Sequence, residues 1–443
     1  MVDLNDHEGT RPDIALSWNQ HMTQMRLSKL PPFQSWDCRA CGRCCRGIYS
    51  VPVTEDERSA ILARGWADDE RCARQGLFTT WRNHSYLARN DDGACVFLSE
   101  QGMCRIHERL GESAKPLACR LYPFVLTPVG KHVHVGLRFD CPAVLDNHGR
   151  PLPEHVTGIK RFIPEVLPCA RMCLPRPMFD RGRSVTPEQL MRITQAFDSL
   201  LSETSLGITR RLLACASVAH LLHVSIIDEL QNRLEEFLAA ATAVALKAAE
   251  TDPLERVQPR KGVLVNFRQM AGLFNRWDRV EDATGTAINR LRVLRTRLRH
   301  SLILSRGKGG VPPLRTGFPE VPFSTIEEPF PIPTGPCEEL LARYYRIKLA
   351  GMDFFGPPFH NYSYVNGMKS LLLTFPVIMW TARAFAIGAG DTEINSESLC
   401  LALQGVDAQL GRSLAFGLAN ERRRISVLSR EEHLRPLTVW YGT

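Results

Sequence analysis

The sequence lacks an uninterrupted apolar run long enough to span a bilayer, a phosphate loop in its proper setting, and any domain that concentrates positive charge. Each absence excludes a class of function. A spanning helix needs about 20 predominantly apolar residues, and a charge at its centre is costly. The most apolar stretch, Leu371 to Gly390, is broken by Pro376 and Arg383 and reads as a buried helix, so no membrane span is expected. The opening MVDLNDHEGTRPD carries no apolar run, which predicts that no secretory signal is cleaved and that the protein is cytoplasmic. Gly307-Lys308-Gly309-Gly310 follows a helix and precedes Pro312-Pro313, and no G-x-G-x-x-G follows a strand, so neither a phosphate loop nor a dinucleotide fold has support. Net charge is +8, but residues 1–183 carry 25 basic and 21 acidic groups and residues 184–443 carry 30 and 26. Each part is therefore +4, and no nucleic-acid partner is expected. With 44% apolar residues the chain is long enough, and apolar enough, to bury a sizeable core.

What is present in excess is cysteine. Eleven of the 14 lie between Cys38 and Cys173, leaving only Cys215, Cys337 and Cys400 for the rest. In a reducing compartment clustered thiols bind metal or do chemistry more often than they form disulfides. The core string is Cys38-Arg-Ala-Cys41-Gly-Arg-Cys44-Cys45, with C-x2-C spacing twice and Gly42 supplying the permissive backbone of a knuckle. Cys95, Cys104, Cys119 and Cys141 follow in loop-like settings, giving eight candidate metal ligands. Neighbouring side chains tend to diverge, so Cys44 and Cys45 are not both expected on one ion. The opening C-x2-C-x2-C resembles a ferredoxin run, although Cys45 follows at once and the distant Cys-Pro is Cys141-Pro142. Zinc accepts any four thiolates. An iron–sulfur cluster is favoured, with zinc the alternative; the C-x3-C-x2-C spacing of a radical S-adenosylmethionine site is absent. Arg120 and Tyr122, flanking Cys119, are candidates to support the ligands from behind, Arg120 by donating to thiolate sulfur. Cys169-x3-Cys173 is a weaker pair, and Cys72, Cys215 and Cys400 read as small buried hydrophobes.

The string CxxCxxCC, followed by C-x-F-L at Cys95, C-x-I at Cys104 and C-R-x-Y-P-F at Cys119, resembles the cysteine-cluster family of YkgJ type, described as zinc- or iron-chelating. The resemblance covers about residues 36–145. Where the family has Tyr after C-x-I this chain has His107, an extra ligand or a substitute ring. A looser similarity, resting on Tyr344-Tyr345-x-x-Lys348 and the apolar helix after Lys369, is to the flagellin lysine-N-methylase branch. It implies a protein lysine N-methyltransferase with a protein substrate and S-adenosylmethionine; no residue string independently supports that cofactor. The competing reading is a non-catalytic zinc-stabilised interaction or metal-handling protein, so enzymatic activity stays open.

The expected fold class is α+β, a small Cys-rich module of short strands and loops followed by a larger α-helical domain. The boundaries are a flexible arm at 1–35, the cysteine module at 36–183, a helical region at 184–308, a Pro-rich linker or loop at 309–336 and a C-terminal helical region at 337–443. Thr54-Glu55-Asp56-Glu57 reads as a capping box, and Phe124 to Phe139 as a hairpin whose second arm sends His132, His134 and Arg138 to solvent. Helical periodicity covers 187–203, 207–225, 228–250, 284–305, 337–351, 364–388 and 396–418. Ile288, Leu291, Leu294, Leu298 and Leu302 form an apparent core stripe, flanked by Arg290, Arg292, Arg295, Arg297 and Arg299 with no acid between Asp282 and Glu320. The densest aromatic stretch, Tyr344 to Tyr364, with Asp353 and His360, is either packed core or the roof of a substrate cleft facing the cysteines.

Overall fold

The computed structural model describes residues 25–443 except 48–49, 67–71, 73–75, 82–83, 167–175, 181, 228–232, 278–285 and 332–333. Cys169 and Cys173, Ile48 and Tyr49 therefore lie outside the described residues. The chain is α+β: short strands and turns first, then a largely helical body.

Two buried clusters divide the chain differently from the expected boundaries. The smaller is built from Val53, Ile61, Trp66, Leu87, Val96, Phe97 and Ile106, with Cys45, Cys104 and Cys119 packed against it. Its frame is a three-stranded antiparallel sheet of Pro52–Val53, His84–Leu87 and Phe78–Trp81. The helix Glu55–Leu62 starts there because Thr54 accepts from Glu57 N–H while the Glu57 carboxylate accepts from Thr54 N–H. The larger cluster takes in the Phe124–Val129 and His132–Leu137 hairpin together with every long helix.

That hairpin belongs to the helical body because both its faces are covered. A Cβ on Gly351 would come within 2.4 Å of the Gly136 Cα, so two glycines let the helix Pro336–Gly351 lie directly on the strand. This corrects the solvent-facing assignment of His134, which is buried and whose pKa burial pushes down to about 4. The flexible arm is also corrected where it is described. Arg26–Leu27 adds a parallel strand to the hairpin, Ser35–Trp36 pairs with Arg150–Pro151, and Gln34 is fully buried.

The helical body is centred on Tyr364–Ala389, which is long and apolar enough to cross a membrane by length and composition but has 83% of its most apolar window buried inside the protein. Its Arg383 is tolerated in the core because the guanidinium donates to the Glu328, Trp440 and Tyr441 carbonyl oxygens. The helices Pro187–Leu201, Ile208–Val224, Leu234–Thr251 and Pro336–Gly351 fall where periodicity places them; Ser396–Gln409 ends nine residues before the expected 418, and Lys261–Asn275 and Glu431–Gly442 were not anticipated. The described part of residues 309–336 is no free linker. Val311, Leu314, Phe318, Val321, Phe323 and Ile326 alternate with the prolines and are all buried.

The helix Ala287–Arg306 packs the opposite way from expectation. Its Leu304 is buried, and Gln269 bonds Ser301 and Ser305 on the inner face. The supposed core stripe points outward, with Ile288 75% and Leu291 67% exposed and Leu294, Leu298 and Leu302 exposed beside them. The aromatic stretch likewise resolves into packing: Tyr344, Tyr345, Phe354, Phe355, Phe359 and Tyr364 are buried to within 1%. It roofs no cleft. Tyr345 bonds Thr374, and Tyr364 bonds Thr194.

Candidate metal centre

Local turns bring the thiols together. Gly42 holds a left-handed φ of +64°, and a Cβ there would meet Gly102 O at 2.7 Å, so only glycine lets the knuckle press onto the loop before Cys104. The Arg43–Arg46 turn then carries Cys44 and Cys45, and Cys95 N–H donates to Cys45 O at 2.8 Å. Two tight turns, closed by the Arg89–Cys95 and Leu98–Cys104 bridges, set Cys95 and Cys104 side by side. Cys119 rides the short helix Leu117–Leu121, whose first N–H donates to Glu57 Oε1 at 2.7 Å.

Cys44, Cys45, Cys95, Cys104 and Cys119 line one cavity of about 160 Å³. Among the described residues no three His, Cys, Asp or Glu donors already meet at a chelating point. The thiols ring a space rather than close on it. Cys44 and Cys45 Sγ stand 4.0 Å apart, so the adjacent side chains do not diverge. A tetrahedral zinc with bonds of about 2.3 Å would hold two sulfurs about 3.8 Å apart, so this pair suits one ion.

The electrostatics follow from burial and mutual proximity. The hydrogen bond between the two thiols, despite the opposing effect of burial, holds Cys44 down to about 7, while Cys45 is itself raised. Burial pushes Cys95 up to about 11 and raises Cys119, with the neighbouring thiols adding to both shifts. The mutual repulsion of these thiols is what a bound cation relieves. Lys115, Arg89 and Arg138 line the same cavity and supply positive charge.

The floor comes from the hairpin. Tyr122 OH donates to Asp140 Oδ1 at 3.2 Å, Arg138 Nε donates to the same oxygen at 3.1 Å, and the guanidinium lies over the Tyr122 ring at 4.9 Å. Burial opposes ionisation of Asp140, but Arg138 and Arg412 hold its pKa below the ordinary value.

Other expected members stand elsewhere. Cys38 and Cys41 are exposed and do not line the cavity; Arg39 between them pairs with Asp146. Cys141 is buried in the larger cluster at the start of the helix Pro142–Leu145, pushed up to about 11 by burial. Cys215, Cys337 and Cys400 also pack with the larger cluster. Tyr122 lines the cavity. Arg120 does not reach the thiols, because its guanidinium is engaged by Glu165 at 3.0 and 2.6 Å and by Lys115 O. His107 is exposed on the helix Arg105–Leu110, off the cavity. Lys115, Arg138 and Asp140 were missed. Asp140 stands directly before Cys141, a neighbourhood that did carry a signal.

A knuckle, two turns and a short helix that gather five thiols onto a small apolar core define a cysteine-lined module set on a helical body. Comparison agrees at that level. Residues 37–142, about a quarter of the chain, match the family model CxxCxxCC, described as a "putative zinc- or iron-chelating domain". No curated protein and no solved structure gives a significant match. The looser similarity to flagellin lysine-N-methylases gains no support. Tyr344, Tyr345 and Lys348, on which it rested, are buried packing and ion-pair residues.

Proposed function

We propose that the cavity ringed by Cys44, Cys45, Cys95, Cys104 and Cys119 holds an iron–sulfur cluster and that the protein is a metal-binding redox or interaction module. The observation that carries this reading is the ring itself. Five thiols surround about 160 Å³ without meeting at a point, whereas a structural zinc site closes four ligands on one ion. Four cysteine thiolates are the usual ligands of such clusters, which supply one-electron chemistry when bound. The chain's own residues do the rest. Lys115, Arg89 and Arg138 offset thiolate charge, Tyr122 and Asp140 fix Arg138 in place, and the small core excludes water from Cys95. The favoured setting is the reducing cytoplasm.

Zinc is the second reading, favoured by the 4.0 Å spacing of Cys44 and Cys45 Sγ. Anaerobic purification followed by visible spectroscopy, acid-labile sulfide and metal analysis separates the two. Broad charge-transfer absorption with stoichiometric iron and sulfide is the expected result. Colourless protein with stoichiometric zinc replaces the cluster by the second reading, and protein that takes up neither metal contradicts both.

A further inference from the structure

A second cavity, of about 310 Å³, adjoins the first where the cysteine turn meets the helical body. Gly47 and Arg89 line both cavities. Among the described residues, the charged side chains around the second are Arg43, Arg46, Arg89 and Arg315 against a single acid, Asp92. Arg46 reaches Asp92 at 3.4 Å, and Arg89 donates to Gly93 O at 2.6 Å. Arg43 is steadied by Gln404 Oε1 at 3.2 Å, a neutral acceptor, and pairs with no carboxylate among the described residues.

Arg315 is the more unusual of the four. Its guanidinium is wedged between the Trp277 and Phe385 rings, 5.0 and 5.5 Å from their centroids. Among the described residues its one oxygen acceptor is Leu401 O at 3.4 Å, and Nη1 is sealed from solvent without a partner. Gly405 makes the place for it: a Cβ there would fall 2.0 Å from Nη1. Burial and the neighbouring Arg43 lower the Arg315 pKa to about 10. A built cradle that holds a cation beside a second cation, with no carboxylate for either among the described residues, is costly unless a negative group joins them.

We propose that this cavity binds a small oxyanionic ligand, one bearing a carboxylate or phosphate group, seated between Arg43 and Arg315. The guanidinium fork presents paired N–H donors that match both groups, and the ligand completes the charge balance that the chain leaves open. Since Arg43 and Arg46 belong to the same turn as Cys44 and Cys45, the ligand sits against the wall of the thiol cavity. The inference does not rest on which metal, if any, that cavity holds.

The test is calorimetric titration and thermal unfolding of the full chain with inorganic phosphate and with malonate, against sodium chloride at matched ionic strength. Saturable one-site binding of either anion is expected, tighter phosphate pointing to a phosphate ester as the natural ligand and tighter malonate to a carboxylate. Arg315→Gln should weaken binding about tenfold or more and raise the melting temperature of the anion-free protein, since it removes an unpaired charge. Arg43→Gln should weaken binding similarly without disturbing the Trp277–Phe385 cradle, and decides the matter if Arg315→Gln fails to fold. Arg290→Gln on the exposed helix should leave binding unchanged. Metal content measured on the same samples should not change. Phosphate and malonate acting no more than chloride, or binding Arg315→Gln and Arg43→Gln as tightly as the parent, overturns the proposal.

Discussion

Replacing Lys348 by methionine should be among the most damaging single changes in the helical body. Lys348 Nζ lies 2.5 Å from Asp407 Oδ1 and 3.6 Å from Asp353 Oδ2, and it donates to Leu137 O at 3.2 Å. Lys348 and Asp407 are buried to within 1% of complete. Asp407 in turn accepts from Phe139 N–H at 2.7 Å, so the pair fixes the strand end that carries Arg138 and Asp140 into the thiol cavity. Breaking a buried pair by removing one partner costs about 3–5 kcal/mol. The upper half of that range applies here. Two carboxylates would remain close together, and the nearest remaining cation to Asp407, Arg412, is 4.0 Å away. Lys348→Met should therefore cost about 4–5 kcal/mol in urea unfolding followed by circular dichroism. Adding Asp407→Asn removes the stranded charge while keeping an acceptor for Phe139 N–H, and should recover about 2 kcal/mol or more. A loss below about 1 kcal/mol for Lys348→Met, or no recovery in the double variant, would refute the reasoning.

His134 gives a pH signature: folding holds its pKa near 4 by burial, with His132 adding, against about 6.5 unfolded. The unfolded chain thus binds the extra proton, so stability from this site is complete above about pH 6.5 and falls by about 3 kcal/mol as pH drops to about 4. His134→Gln should flatten that part of an acid unfolding curve, and an unchanged acid limb in the variant would show that other groups dominate. Metal removal should loosen the small cluster and spare the helices, since thiolate sites contribute on the order of 10 kcal/mol to folding. Chelator-treated protein should then be cut by protease between Cys72 and Cys119, and continued resistance there would contradict it. Leu291→Ser with Leu298→Ser should change stability by no more than about 0.5 kcal/mol each, because both side chains face solvent. A loss above about 2 kcal/mol would mean that the stripe is buried after all.

Local chemistry was legible in the sequence wherever one residue type answers one backbone need. Thr54 with Glu57 forms the capping box that opens its helix, and Gly130 turns the hairpin. The loop settings single out Cys44, Cys45, Cys95, Cys104 and Cys119, which line the cavity, but do not separate them from Cys38, Cys41 and Cys141, which do not. What periodicity does not encode is which side of an element meets the body. The helix Ala287–Arg306 has a strong aliphatic stripe, yet Leu304 and the Gln269 bonds to Ser301 and Ser305 hold its other side inward. His134 alternates as a solvent residue should, but the Gly136–Gly351 contact covers that side of the strand. Cys141 shares the loop-and-proline setting of the ligand candidates, and only tertiary packing carries it into the larger cluster. Arg120 follows Cys119 in sequence, while its guanidinium is taken by Glu165, 45 residues on.

Metal content per chain in a set of single serine variants tests the central claim most directly. Serine at Cys44, Cys45, Cys95, Cys104 and Cys119 in turn should strip the bound iron or zinc from at least four of the five variants, since four thiolates complete a centre and the fifth is spare. Serine at Cys141 or Cys215, both buried in the larger cluster, should leave the metal in place. Full metal occupancy in Cys44→Ser, Cys95→Ser and Cys119→Ser, or loss of metal in Cys141→Ser alone, would contradict the five-thiol centre.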